Sequence, residues 1–369
     1  MQRIPARAGD PLDAIATPAL VVDLDTFERN LDRMAGATRG IRLRPHAKSH
    51  KCAAIARAQL ERGAVGICCQ KTDEAAAFVE AGVCDVLVTN EVVDPPKLAR
   101  LAELARAARI GVLVDALQSV AALSRAAERA VAVLDVYVEI DVGAHRCGIA
   151  PGEPAVDLAR AIDSAPALRF RGLHAYHGAA QHVREPAARR AAVASAVDAA
   201  RATRDLVEAA DIACEIVTGA GTGTWPLERD SQVYNELQPG SYVFMDVDYG
   251  RNVTELSDIR FEQSLFVLAT VMSTPVRERA IVDAGLKAFS FDSGLPAVHD
   301  RSGATYVKAS DEHGVLVIAE DAVPLELGER MLLVPGHCDP TVNLYDFIVG
   351  VRAGRVEAVW PIEARGALG

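Results

Sequence analysis

Ile41-Arg42-Leu43-Arg44-Pro45-His46-Ala47-Lys48-Ser49-His50-Lys51 reads as a short strand running into a strongly basic segment. Pro45 disfavours helix at the residue before it, so the strand Ile41–Arg44 should continue extended into the loop. Outward from this stretch the same unit recurs: a β-branched run, then polar residues, then an Ala/Leu/Arg/Glu-rich run of helical period. The strand candidates are Ile41–Arg44, Val65–Cys69, Asp85–Thr89, Ile110–Val114, Leu134–Ile140, Phe170–Tyr176, Cys214–Thr218 and a weaker Glu236–Gly240. Helix candidates fill the gaps, among them Phe27–Ala37, Cys52–Arg62, Asp73–Ala81, Lys97–Ala108 and Pro186–Ala210. Asp25 is the candidate N-cap of the first, with Phe27, Leu31 and Met34 on one face.

Eight strands alternating with helices over roughly 220 residues predict an α/β fold, an N-terminal (β/α)8 TIM barrel over residues 25–260. A doubly wound open sheet has the same texture. The polar residues favour the barrel. Lys48, Gln70, Asn90, Asp115, Arg146, His177 and the Thr218–Thr224 loop each follow a strand. In a barrel those positions converge on one face, whereas in an open sheet they spread along an edge. After residue 260 the texture changes. Leu265–Met272, Arg279–Val282, Val315–Ala319, Met331–Val334, Phe347–Val351 and Val356–Trp360 are β-rich. They predict a C-terminal all-β domain over residues 261–369. Pro18–Asp23, within residues 1–24, is a candidate strand to pair with it.

The 369-residue chain has a formal net charge of −11, which argues against nucleic acid as a partner because neutralising phosphates needs a basic face. No apolar run approaches the roughly 18 residues needed to span a bilayer, so no membrane partner is expected. Met1–Asp10 lacks the apolar core of a secretory signal. The seven cysteines are scattered and odd in number, and the adjacent Cys68 and Cys69 are poor disulfide partners for each other. A reducing, cytoplasmic setting is expected.

Lys48 is the candidate for covalent chemistry. A primary amine condenses with an aldehyde to a Schiff base, and pyridoxal phosphate is the aldehyde most often held this way. A lysine after a strand is ordinarily a solvated surface group. Here Arg44, His46, His50 and Lys51 crowd positive charge around it, which should lower the amine's pKa and favour the neutral nucleophile. Thr218-Gly219-Ala220-Gly221-Thr222-Gly223-Thr224 follows the seventh strand, where barrels commonly bind phosphate. Glycines there let backbone N–H groups approach an anion; the alternative is a plain flexible loop. Asp141–Gly148 places Arg146 at the fifth strand end, as a carboxylate or phenolate contact or as a surface arginine in a turn. His174–His182 holds three histidines and Tyr176, which could lie against a ring while a histidine moves protons. In Pro335–Thr341, His337 and Asp339 would point the same way on an extended chain and Cys338 the other way. Imidazole plus carboxylate suits a divalent metal with open positions, or else a loop hydrogen bond.

Taken in order, RPHAKSHK (44–51), GICCQK (66–71), DVGAHRCG (141–148), AYHGAAQH (175–182), TGAGTGT (218–224), LQPGSYVFMD (237–246), DAGLK (283–287) and HCDPTVNLYD (337–346) resemble the D-threonine aldolase group. That group belongs to the alanine-racemase-like, fold-type III pyridoxal-phosphate enzymes, with D-serine dehydratases as relatives. The resemblance implies a barrel carrying the cofactor lysine plus a C-terminal β domain. It implies that Lys48 forms the internal aldimine and that Arg146 meets the cofactor's O3′ region. Gln70 and Tyr176 would border the cofactor, and Thr218, Gly221, Thr222, Gly223 and Tyr242 would lie near its phosphate. His182 is implied as acid/base, and His337 and Asp339 as ligands of a divalent metal, Mn²⁺ first and Mg²⁺ or Co²⁺ as alternatives. Ala220 stands where another glycine is expected.

The implied reaction is retro-aldol cleavage of the Cα–Cβ bond of a small D-β-hydroxy-α-amino acid, D-threonine giving glycine and acetaldehyde, by a homodimer. The third position of H-x-D discriminates within the group. The dehydratases carry a thiolate there, which suits zinc, whereas Asp339 is a harder ligand. Three alternatives stand beside this reading: a 3-hydroxy-D-aspartate aldolase, a D-serine or 3-hydroxyaspartate dehydratase, and a non-catalytic pyridoxal-phosphate carrier.

Overall fold

A computed structural model describes residues 3–253 and 259–369. Eight parallel strands form one sheet, in the hydrogen-bonded order Arg42–Leu43, Glu236–Leu237, Ile216–Gly219, Leu168–Ala175, Leu134–Glu139, Arg109–Val114, Asp85–Glu91, Ile67–Cys69. The two ends of that order meet. Val65 N–H donates to Leu43 O at 2.9 Å, Cys68 N–H donates to Pro45 O at 2.8 Å, and His46 and Cys68 form a parallel bridge. The sheet therefore closes, which an open doubly wound sheet cannot do, and the strand ends converge. All eight strands lie where the β-branched runs put them, displaced by a few residues at the ends. The first barrel helix is Leu24–Ala37. Its cap is Asp23, whose carboxylate accepts from Thr26 N–H, and not Asp25, which falls in the first turn.

Side chains alternate along the strands. Ile67, Val86, Val112, Val136 and Val217 face the surrounding helices, while Cys68, Leu87, Leu113, Tyr137 and Ile216 form a second cluster inside the barrel. Below that interior cluster the barrel floor is ionic. Arg44 is buried and donates to Asp85 Oδ1 at 2.6 Å and Glu236 Oε1 at 3.0 Å. Asp135 receives Arg109 at 2.6 Å and Arg169 at 2.5 Å. Gly66 leaves room for the guanidinium, since a Cβ there would lie 2.3 Å from Arg44 Nη1. Arg44→Ala would strand the fully buried Glu236 carboxylate. The expected loss is about 3–5 kcal/mol of unfolding free energy, read from the urea midpoint.

The second sheet is built around Leu265–Val276. Its strand order is Ala304–Ala309, Gly314–Ile318, Arg279–Val282, Leu265–Val276, Ala19–Asp23, Phe347–Arg352, Arg355–Pro361, with Arg330–Val334 and Ala297–Val298 branching from the central strand. Ala19–Asp23 runs antiparallel to Leu265–Leu268 and parallel to Ile348–Val351. Ala297–Val298 and Ala304–Ala309 escaped the sequence reading, being short or mostly exposed. No helix among the described residues is long and apolar enough to cross a membrane.

Candidate active site

Beyond Leu43 the Arg44 side chain turns into the floor, and His46 caps a single 3-10 turn, Ala47–Ser49. His46 Nδ1 accepts the Lys48 N–H at 3.3 Å, so Nε2 carries the hydrogen and donates to Thr89 Oγ1 at 2.9 Å. Gln70 donates to the same hydroxyl at 3.1 Å. Gly240 packs against this turn so closely that a Cβ would lie 2.7 Å from His46 O. The turn so held aims Lys48 at the barrel mouth. Its Nζ lies 5.9 Å from the Tyr176 ring centroid, and Arg146 Cζ lies 5.9 Å from the same centroid.

The basic cluster does not lower the Lys48 pKa as its sequence suggested. Arg44 is spent on Glu236 and Asp85, and Lys51 on Glu74 at 2.8 Å. Burial pulls His46 well down and His50 down to about 4, so both are neutral. Burial also lowers Lys48, but Tyr176 and Asp339 outweigh it, and the amine lies above the ordinary lysine value.

Behind Arg146 stands Glu139, 3.6 Å from Arg146 Nη2 and 3.6 Å from His174 Nδ1. From His174 a polar chain runs down the barrel. Its Nε2 meets Gln238 Oε1 at 3.2 Å, Gln238 Nε2 donates to Thr218 Oγ1 at 2.8 Å, and Thr218 donates to Glu236 at 3.1 Å. The Thr218 hydroxyl is thus committed inside the barrel and is not available to a phosphate, contrary to the sequence reading.

In the glycine-rich loop Ala220 adopts φ 68°, a left-handed conformation that glycine would occupy without strain. Gln181 braces the loop. It accepts the Gly223 N–H at 3.0 Å and donates to Thr224 Oγ1 at 2.8 Å. A Cβ on Gly221 would lie 2.4 Å from Gln181 Oε1, and one on Gly223 would lie 2.4 Å from Gln181 O. The Gly223 amide is therefore used internally. Thr222 Oγ1 is buried without a partner among the described residues. Tyr242 is also held inside, its hydroxyl accepting from Gln59 at 3.2 Å and its ring 5.4 Å from Phe261. Its side chain is thus committed inside the protein, and its backbone stays a candidate. A cleft of about 260 Å³ lined by Thr222, Gly223, Trp225, Met245 and Tyr249 opens beside the loop.

Across the mouth, His182 Nδ1 and Asp248 Oδ2 are 2.5 Å apart, and Arg184 pairs with the other carboxylate oxygen. The His182 ring lies 5.5 Å from Tyr249, whose hydroxyl feels both Tyr176 and Asp339. Asp246 joins this wall to the second domain. One oxygen accepts from Tyr249 N–H and the other from Cys338 N–H, at 2.8 and 2.9 Å. The sequence reading missed Asp248, Arg184, Tyr249 and Gln181, which carry no periodic signal.

His337 and Asp339 are not on an extended chain, so the period-two argument fails. His337 is extended, with φ −141°, but Asp339 lies in the first turn of the helix Cys338–Val342. They are neighbours even so, since the Asp339 carboxylate raises the His337 pKa against burial. His337 Nδ1 is 2.7 Å from Asp292 Oδ2, which leaves Nε2 as the free ring nitrogen. Asp339 accepts from Ser241 at 3.1 Å. Cys338 points at Asp339, but burial and the carboxylates of Asp246 and Asp339 keep it a thiol. Among the described residues no group of three or more histidines, cysteines or acids is gathered as for a metal.

The family model described as "Alanine racemase, N-terminal domain" matches residues 22–248, and that described as "Putative serine dehydratase domain" matches residues 264–351. The chain is 48% identical to a D-threonine aldolase of an Arthrobacter species, over 98% of this chain and 96% of that protein. It is 47% identical to a 3-hydroxy-D-aspartate aldolase of Paracoccus denitrificans (strain Pd 1222), over 98% of this chain and 95% of that protein. The solved structure of D-threonine aldolase from Filomicrobium marinum superposes with a TM-score of 0.97 at 50% identity, covering 99% of this chain and 100% of that one.

Proposed function

Because the chain belongs to the alanine racemase N-terminal-domain family and is a lyase of the aldolase kind, we propose that it cleaves D-β-hydroxy-α-amino acids by a metal-assisted retro-aldol reaction. Pyridoxal phosphate is its cofactor, and D-threonine giving glycine and acetaldehyde is the reaction proposed first. A homodimer is proposed with it, from the resemblance. The observation that carries the reading is that the Cys338–Val342 helix of the second domain, with Asp339 in its first turn, packs against the Ala47–Ser49 turn that bears Lys48. This packing supports a single reaction centre shared by Lys48 and the proposed metal ligands His337 and Asp339.

The residues fit both absent groups. The orphaned Thr222 hydroxyl, which lines the cleft beside the loop, suits a phosphate, and the Tyr176 face beside Lys48 suits an aromatic ring. Lys48 would hold the cofactor covalently and Arg146 would meet its oxygen substituent. Pyridoxal phosphate, when bound, supplies the conjugated system that accepts an electron pair. His337, aligned by Asp292, and Asp339 would hold a divalent metal, Mn²⁺ first and Mg²⁺ or Co²⁺ as alternatives. Water or substrate would complete its shell, and it would supply Lewis acidity at a hydroxyl.

His182 is the proposed base. Asp248 binds its Nδ1, so Nε2 faces outward to take the β-hydroxyl proton as the Cα–Cβ bond breaks and the oxygen becomes a carbonyl. The same carboxylate stabilises the imidazolium that results. Purified protein given pyridoxal phosphate and Mn²⁺ should release acetaldehyde from D-threonine, with glycine as co-product. Glyoxylate from 3-hydroxy-D-aspartate, at higher kcat/KM, would instead favour the substrate of the Paracoccus relative. Ammonia and a keto acid from either would overturn the aldolase reading.

A further inference from the structure

Glu91 ends the barrel strand Asp85–Glu91, and Glu139 ends the strand Leu134–Glu139. Their carboxyl groups face one another closely enough to interact. Both Glu91 oxygens and Glu139 Oε2 are nevertheless buried without a geometric hydrogen-bond partner among the described residues, with only the weakly donating Cys147 thiol facing Glu91. Two carboxylates cannot satisfy each other, because neither carries a hydrogen. One proton on the pair resolves the conflict, turning one acid into the missing donor. Glu139 is the member that stays ionised, since its other neighbours are Arg146 and His174, each at 3.6 Å.

We propose that Glu91 carries a proton at neutral pH and shares it with Glu139, so that Arg146 faces one negative charge rather than two. Glu91 is then a positioning residue for Arg146. This second half rests on the reading that Arg146 meets the cofactor. The groups facing Glu91 are Glu139 from its strand, Cys147 from the following loop and Asp115 from the end of a third strand, with Arg146 and His174 beyond Glu139. Asp115 is itself engaged by Gly148 N–H at 3.2 Å. Burial and then Glu139 push Glu91 up to about 8. Glu139 stays near 2 because His174 and Arg146 outweigh its own burial. Losing the proton would set a second carboxylate against Arg146 and weaken its pull on an anionic cofactor oxygen.

The sign follows from linkage. A carboxyl whose folded pKa is raised from 4.5 to about 8 contributes stability in full below 4.5 and loses it as pH rises through 8. Glu228, buried and pushed up to about 7, adds a fall of its own, so the test compares wild type with Glu91→Gln. Glutamine keeps the donor and cannot ionise. Without cofactor, the wild type should lose thermal midpoint as pH rises through 8, and E91Q should lose less. Infrared difference spectra should show a carboxylic C=O band in the wild type at pH 7 that titrates away near 8 and is missing from E91Q. With cofactor loaded, the visible band of the wild type should shift with pH around 8, while that of E91Q holds its low-pH position.

The absence of a carboxylic band at pH 7, or superimposable pH profiles for the two proteins, would overturn the inference. Should E91Q fail to fold, the infrared titration of Glu228→Gln, which removes the Glu228 band and leaves that of Glu91, decides. A band that titrates in a protein that binds no cofactor would support the shared proton while refuting the functional reading and the Arg146 half with it.

Discussion

Lys48→Ala should abolish the visible band of the cofactor-loaded protein and lower turnover by on the order of 10⁴-fold or more, with the fold intact. Lys51, three residues on, is locked to Glu74 at 2.8 Å. Lys48→Arg should fail equally, because a guanidinium keeps the charge without a nucleophilic nitrogen. The fold should survive, since Lys48 takes no part in the ionic floor around Arg44 and Asp135. Circular dichroism and the urea midpoint would verify that. A variant that keeps the wild-type spectrum would show that the cofactor is held elsewhere.

Removing either His337 or Asp339 separates metal from cofactor. Asp339→Ala and His337→Ala should each lower activity by on the order of 10³-fold while leaving the visible band in place. With His337 and Asp339 as the two proposed protein ligands, either loss leaves one. Asp292→Asn should weaken metal binding by about 10–100-fold, because it removes the carboxylate that orients the His337 ring through Nδ1. Exhaustive chelation of the wild type should give the same phenotype, reversed by adding Mn²⁺. Full activity after chelation would refute the metal role.

The barrel was legible because its signals are local. Strand and helix periods need only neighbouring residues, and the run of polar groups after each strand followed from those boundaries. Lys48 and Arg146 do lie over the Tyr176 ring, and the short helix carrying Asp339 packs against the turn carrying Lys48. The finer contacts were not legible wherever a partner remote in sequence took the group. Thr218 went to Glu236 and Gln238, the Gly223 amide to Gln181, and the Tyr242 hydroxyl to Gln59. The His337–Asp339 reading kept its residues but lost its reason, because the chain turns helical at Cys338.

By itself the sequence determined the alternation that closes into a barrel, the β-rich remainder, and the residue types from which the site is made. Periodicity and turn chemistry are written within a few residues of where they act. The tertiary structure decided the charge on each of those residues. The positive cluster around Lys48 is neutralised by Glu236, Asp85 and Glu74 and by the burial of two histidines, and Asp339, from the other end of the chain, helps raise the amine instead. The ring of His182, the proposed base, is likewise oriented by Asp248, 66 positions away. Electrostatic fields act through space, and a linear sequence does not state which charges will share it.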